Sequence, residues 1–107
     1  MIITPGTDIA GYRTVKTFGL VRGNTIRARH VGKDILAGLK NLVGGEIEEY
    51  TKMMAESREQ ALDRMVAEAE KLGGNAVLDV RFSTSYVMGM AAEILAFGSA
   101  AIIEPEG

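Results

Sequence analysis

The chain has 107 residues, 47% apolar and 24% charged, with a net charge of −2 at pH 7. That length makes one domain, 1–107, with one modest core, built mainly from Ala, Val, Ile, Leu and Met because there is no Trp and only three Phe and three Tyr. The absence of cysteine excludes disulfides, thiolate metal sites and cysteine nucleophiles.

Charge is unevenly distributed. Residues 1–45 carry seven basic and two acidic side chains, and residues 46–107 carry five basic and twelve acidic ones. Two halves of opposite sign are expected to meet, within a subunit or between subunits. The start, Met1-Ile2-Ile3-Thr4-Pro5-Gly6, lacks the basic stretch and apolar run of a signal peptide. No unbroken apolar stretch approaches the ~18 residues of a membrane span. A cytoplasmic protein without a membrane partner is the expectation.

In chain order, Met1 to Tyr12 reads as a lead-in with a turn at Pro5-Gly6. Thr14 to Val21 is a strand rich in Thr, Val and Phe, with Val15, Thr17, Gly19 and Val21 on one face and Lys16, Phe18 and Leu20 on the other. Arg22-Gly23-Asn24 is expected to break it, and Thr25 to Arg29 to extend again. Ile35, Leu36, Leu39 and Leu42 recur at helical spacing, so Gly32 to Asn41 is a short helix. Glu46 to Leu72 is the clearest element. Ile47, Tyr50, Met54, Ala61, Met65, Ala69 and Leu72 form an apolar stripe, widened by Leu62 and Val66. Glu46, Glu48 and Glu49 in the first turn and Lys71 in the last suit the helix dipole, and Gly73-Gly74 supplies the stop. Ala76 to Ser85 is a further strand, with Ala76, Leu78, Val80 and Phe82 alternating with Val77, Asp79, Arg81 and Ser83. A hairpin turn falls in Tyr86 to Met90, and Ala91 to Ile103 is the last strand. Both of its faces are apolar, so a helix covering one leaves the other for a neighbouring subunit. The order implies an α+β domain, a small antiparallel sheet with helices on one face.

Three segments carry a family resemblance: Arg27-Ala28-Arg29-His30, Asn41-Leu42-Val43-Gly44-Gly45-Glu46-Ile47-Glu48-Glu49-Tyr50, and Leu72-Gly73-Gly74-Asn75-Ala76-Val77. Together they resemble the YbjQ-like family, small bacterial and archaeal proteins with a heavy-metal-binding label and no established activity. The resemblance runs from about Thr17 to Glu104. It implies a β-α-β-β unit similar to dodecin subunits, assembled as a ring-like homopentamer.

The metal label meets a donor problem. Soft metals prefer thiolates and imidazoles, and the chain offers one histidine, His30, and no cysteine. Ring symmetry would multiply His30 around an axis; the plainer reading is a surface or interface histidine beside Arg29, Lys33 and Asp34. Thioethers bind Cu(I), which singles out Met88 and Met90 around Gly89; Met54 and Met65 lie in the apolar stripe, where methionine fills gaps. Glu46 and Glu49 could converge on a hard cation, although dipole compensation explains them. Gly44-Gly45 before a helix is a poor phosphate cradle, because three carboxylates follow it and no P-loop lysine is present. Arg58 interrupts the stripe and would need a partner such as Asp79 or Glu93 if buried. No catalytic constellation stands out. Arg27 and Arg29 lack aromatic interleaving, so a nucleic-acid partner is not expected. The leading reading is an oligomeric protein binding a metal ion or small ligand at subunit interfaces. The alternative is an interaction scaffold without a small-molecule site, and an enzyme ranks third.

Overall fold

A computed structural model describes residues 1–26, 45–87 and 90–107, with the side chains of 45–50, 87 and 90–92 outside that description. The helix expected at Gly32 to Asn41 and the segment Arg27 to Arg29 lie outside the described residues. The elements are β1 (Ile2–Ile3), β2 (Tyr12–Ile26), α1 (Gly45–Lys71), β3 (Ala76–Val87) and β4 (Met90–Pro105).

The helix α1 runs Gly45–Lys71, one residue earlier at each end than the expected Glu46 to Leu72. It closes in a Schellman arrangement: Gly73 N–H donates to Glu70 O at 3.0 Å and Gly74 N–H to Ala69 O at 2.9 Å, with Gly73 at φ +90°. These bonds satisfy carbonyls that the helix end leaves unpaired. Ala61, Met65 and Ala69 are fully buried, and Met54, Leu62 and Val66 pack against the same core. Two positions of the stripe differ from expectation. Arg58 points to solvent and Ser57 is buried instead, its carbonyl accepting a hydrogen bond from Thr25 Oγ1 at 3.2 Å. Leu72 lies beyond the last helical residue and is exposed.

The strands form one four-stranded sheet in the order β1-β3-β4-β2. It is mixed rather than purely antiparallel. The lead-in holds the short β1, which pairs parallel with Ala76 and Val77 of β3. Thr4, Gly6 and the β3 backbone continue this attachment: Asp79 N–H donates to Gly6 O and Val80 N–H to Thr4 O, both at 3.0 Å. β4 is antiparallel to both β2 and β3.

β2 does not break at Arg22-Gly23-Asn24; it runs unbroken from Tyr12 to Ile26. Gly23 is where helix and strand backbones touch. A Cβ added there would lie 2.3 Å from Met65 N and 2.4 Å from Ala61 O. The expected two-face alternation of β2 is also corrected. Register shifts fall between Thr14 and Lys16 and between Thr17 and Gly19, with Gly19 at φ +98°. Each inserted residue reverses the phase of alternation, so Phe18 and Val21 both reach the core under α1.

β3 departs from alternation in the same way. Ala76, Val77 and Leu78 are all buried, and a shift between Leu78 and Arg81 places Asp79 at φ +55°. A non-glycine residue there costs on the order of 1–3 kcal/mol. Asp79 Oδ1 accepts a hydrogen bond from Thr7 Oγ1 at 3.0 Å, which ties the strained position to the N-terminal segment.

Two substitutions test these contacts by chemical unfolding at fixed protein concentration. Gly23→Ala is expected to lower the unfolding free energy by about 3 kcal/mol, against no change for Gly107→Ala, whose Cβ meets nothing. Asp79→Asn keeps an acceptor and tolerates positive φ, so it stays within about 0.5 kcal/mol, whereas Asp79→Val loses about 2 kcal/mol.

Candidate assembly surface

The residues named by sequence chemistry do not gather into a described site. His30 and Met88 lie outside the described residues. Met90 begins β4 and pairs with Val87, with its side chain outside the description. The carboxylates Glu46 and Glu49 lie in the first turn of α1, again without described side chains. Met65 is fully buried and Met54 packs on the core, which makes both gap-fillers rather than ligands. Among the described residues no group of three or more His, Asp or Glu side chains could hold a metal ion. The described part of one subunit therefore does not fit a heavy-metal centre.

One concavity of about 490 Å³ lies between the Asp8–Thr14 segment, Ile103 and Glu106. Its arginine, Arg13, is paired with Glu104. Asp8 and Glu106 are exposed carboxylates, and no catalytic set converges on the hollow.

The more informative surface is the sheet face away from α1. Register places its side chains in rows across β2, β4 and β3. Arg22, Phe97 and Arg81 form one row, Asn24, Leu95 and Ser83 the next, and Ile26, Glu93 and Ser85 the third. The opposite face of the same strands carries Val21, Thr25, Ile94, Ala96 and Ala100, all buried at the helix. On the helix-free face, Leu95 and Phe97 are half-buried, and Leu20 and Ile26 are 66% and 63% exposed. The doubly apolar reading of the last strand therefore holds, with one face covered and one open. Towards the other end that face closes: Ala101 and Ile103 are buried, and Ile9 lines the hollow beside Ile103.

Electrostatics sharpen the picture. Among the described residues the ion pairs are Arg13–Glu104 and Glu68–Lys71, so one pair joins the basic and acidic halves of the chain. Lys16 sits 4.9 Å from the centre of the Phe18 ring. Asn24 is clamped from both sides: its side-chain amide donates to Glu93 Oε2 at 3.1 Å, and its carbonyl accepts from Arg64. Arg81 donates to Pro5 O and Val80 O at 2.7 and 2.9 Å. Arg22 has no hydrogen-bond or ion-pair partner among the described residues. The row of two arginines around Phe97 was not visible in the sequence, because the three residues are far apart in it and only the register of three strands aligns them.

The chain is long for its mass. Its extents are 58 × 23 × 17 Å and its radius of gyration 17.1 Å, against about 13 Å for a compact domain of this length. It exposes 6927 Å², against about 5800 Å² for a compact monomer of this mass. The excess is comparable to the ~800 Å² that each partner contributes to a stable interface. No described helix is long and apolar enough to cross a membrane.

Comparison with known proteins gives one consistent answer. The YbjQ_1 family model, described as "Putative heavy-metal-binding", matches residues 1–104. A UPF0145 protein of Dehalococcoides mccartyi is 59% identical over 104 residues, covering 97% of this chain and all of that protein. A UPF0145 protein of Methanosarcina acetivorans is 57% identical over 100 residues, covering 94% of each. One from Pyrococcus abyssi is 51% identical over 106 residues, covering 99% of this chain and 93% of its own. A crystal structure of a DUF74-family protein of unknown function from Pediococcus pentosaceus superposes with a TM-score of 0.50 at 18% identity, covering 99% of this chain and 98% of that one. At that identity the likeness concerns the fold alone.

Proposed function

This chain belongs to the YbjQ family, and from that premise we propose that it is a self-assembling protein, a ring-like homopentamer of dodecin-like subunits that works where its subunits meet. The observation that carries this reading is the half-covered sheet. Leu20 and Ile26 stand open, and Leu95 and Phe97 stay half-open, on the face that α1 does not reach. Burying apolar area contributes about 25 cal/mol per Å², so an oligomer recovers what the single subunit leaves in water. A cytoplasmic location fits the absence of cysteine and a helix without membrane character.

The family's description favours a second reading, a metal ion held at the subunit interface. His30, Met88 and Met90 are its donors. One histidine and no thiolate per subunit is too few for a soft-metal site, so such a site needs donors from several copies. If instead no metal or small ligand binds, the ring is an interaction scaffold.

Native mass spectrometry of untagged protein purified without chelators tests both readings. The expected species is a pentamer. Leu20→Lys alters a side chain that is already exposed in the single subunit, so it should leave far-UV circular dichroism unchanged while shifting the spectrum to monomer; a wild-type monomer at micromolar concentration overturns the assembly. Loading with Zn²⁺, Cu⁺ and Ni²⁺ should add a fixed mass per ring that His30→Ala or the Met88→Leu, Met90→Leu pair removes. A ring that stays bare sinks the metal reading and leaves the scaffold.

A further inference from the structure

We infer that the Arg22–Phe97–Arg81 row is a mononucleotide site, the base of the ligand lying on Phe97 and its phosphate held by arginine. The inference deepens the reading of the helix-free face as the surface on which this protein works, and it rests on that reading of the face. It makes the ligand taken there an organic anion and not a metal cation.

The row holds the parts such a ligand requires. Arg22 on β2 and Arg81 on β3 pair with the same residue of β4, Phe97. The two arginines therefore start about 9.6 Å apart, two strand spacings, with an aromatic ring between them. That span suits a phosphate at one side and a flat base in the middle. Neither guanidinium covers the ring; among the described residues the cation–π contact is that of Lys16 with Phe18. Phe97 is half-buried, fixed in the sheet with part of its surface open. An aromatic side chain flanked by cations is a stacking platform for a base. Ser99 in the row on one side and Ser83 in the row on the other add short hydroxyl groups diagonal to the ring.

The arginines are ready for an anion. Arg81 is already ordered, and its bonds to Pro5 O and Val80 O at 2.7 and 2.9 Å both leave from Nη1. Nη2 and Nε keep their N–H donors, and these two nitrogens form a fork that grips an oxyanion with two parallel bonds. A tethered side chain loses less entropy when it binds. Arg22 is exposed and has no hydrogen-bond or ion-pair partner among the described residues. No described carboxylate is paired with either arginine. Glu93, on the same face, lies four positions along β4 from Phe97, roughly 14 Å away, and accepts from Asn24. Asp79, two residues before Arg81, accepts from Thr7. Two such cations repel a metal ion and attract a phosphate. Where a second subunit covers this face the need grows, because a guanidinium taken from water without a counter-charge is costly. One ring and a net charge of −2 fit a single nucleotide better than a polynucleotide, whose affinity comes from many phosphate contacts.

Isothermal titration calorimetry at low salt tests the assignment with AMP, GMP, CMP and UMP. Ribose 5-phosphate lacks the base, adenosine lacks the phosphate, and a short single-stranded oligouridylate represents nucleic acid. The expected result is saturable binding of at least one mononucleotide with a Kd below about 1 mM. Arg22→Gln and Phe97→Leu should each weaken it about tenfold, with far-UV circular dichroism unchanged. No saturable heat from any of the four overturns the inference, as does binding that neither substitution weakens. Ribose 5-phosphate binding as tightly as the mononucleotides removes the base from the site and overturns it too. An oligouridylate bound far more tightly than every mononucleotide makes the ligand a nucleic acid, with the same consequence. Native mass spectrometry of the same samples separates this from the assembly: an oligomer that binds no nucleotide overturns the site alone, and a monomer that binds one overturns the assembly alone.

Discussion

The structure depends on the backbone contact between α1 and β2 at Gly23. Nothing larger than hydrogen fits between that Cα and the helix backbone at Ala61 and Met65. Because the contact is so close, the helix sits deep on an edge strand rather than over the middle of the sheet. The core follows from that position. Val21, Ile94, Ala96 and Ala100 come from the strands below, Ala61, Met65 and Ala69 from the helix above. Small residues dominate because a short interlayer distance excludes large ones.

The same seating determines what stays uncovered. A helix placed over β2 and β4 leaves β3 without a roof, and its own face of the sheet is the only one it can shield. The N-terminal segment closes part of the remainder through its backbone bonds to Val77, Asp79 and Val80. What is left is a stretch of sheet with apolar side chains on one face.

Bulges are the second organising device. In β2 they bring Phe18 and Val21 to the same core although the two are an odd number of positions apart. In β3 the bulge at Asp79 lies opposite Gly98, where a Cβ would come within 2.7 Å of Leu78 O. The local strain at Asp79 is offset by the anchoring of the N-terminal segment, whose backbone and Thr7 hydroxyl converge there. The helix limits, the Gly73 stop, the last strand with two apolar faces and the family were all legible in the sequence. The site residues His30, Met88 and Met90 gain no described geometry, and the metal chemistry attached to them is carried by the family description alone.

Local rules settled the parts of this chain that depend on neighbours in sequence. A helical stripe from Met54 to Ala69, acidic and basic ends, and a glycine with positive φ are signals written within a few residues of one another. Tertiary structure alone decided three other things. Gly23 proved to be a point of contact and not a turn, because only the arrival of the helix distinguishes the two. The faces of β2 and β3 changed phase at bulges, which alternation in sequence cannot register. Ile2–Ile3 became a strand because the edge of β3 was there to receive it, and a two-residue strand has no periodicity to read. Each depends on a partner distant in the chain, and the free energy that selects it exists only once that partner is in place.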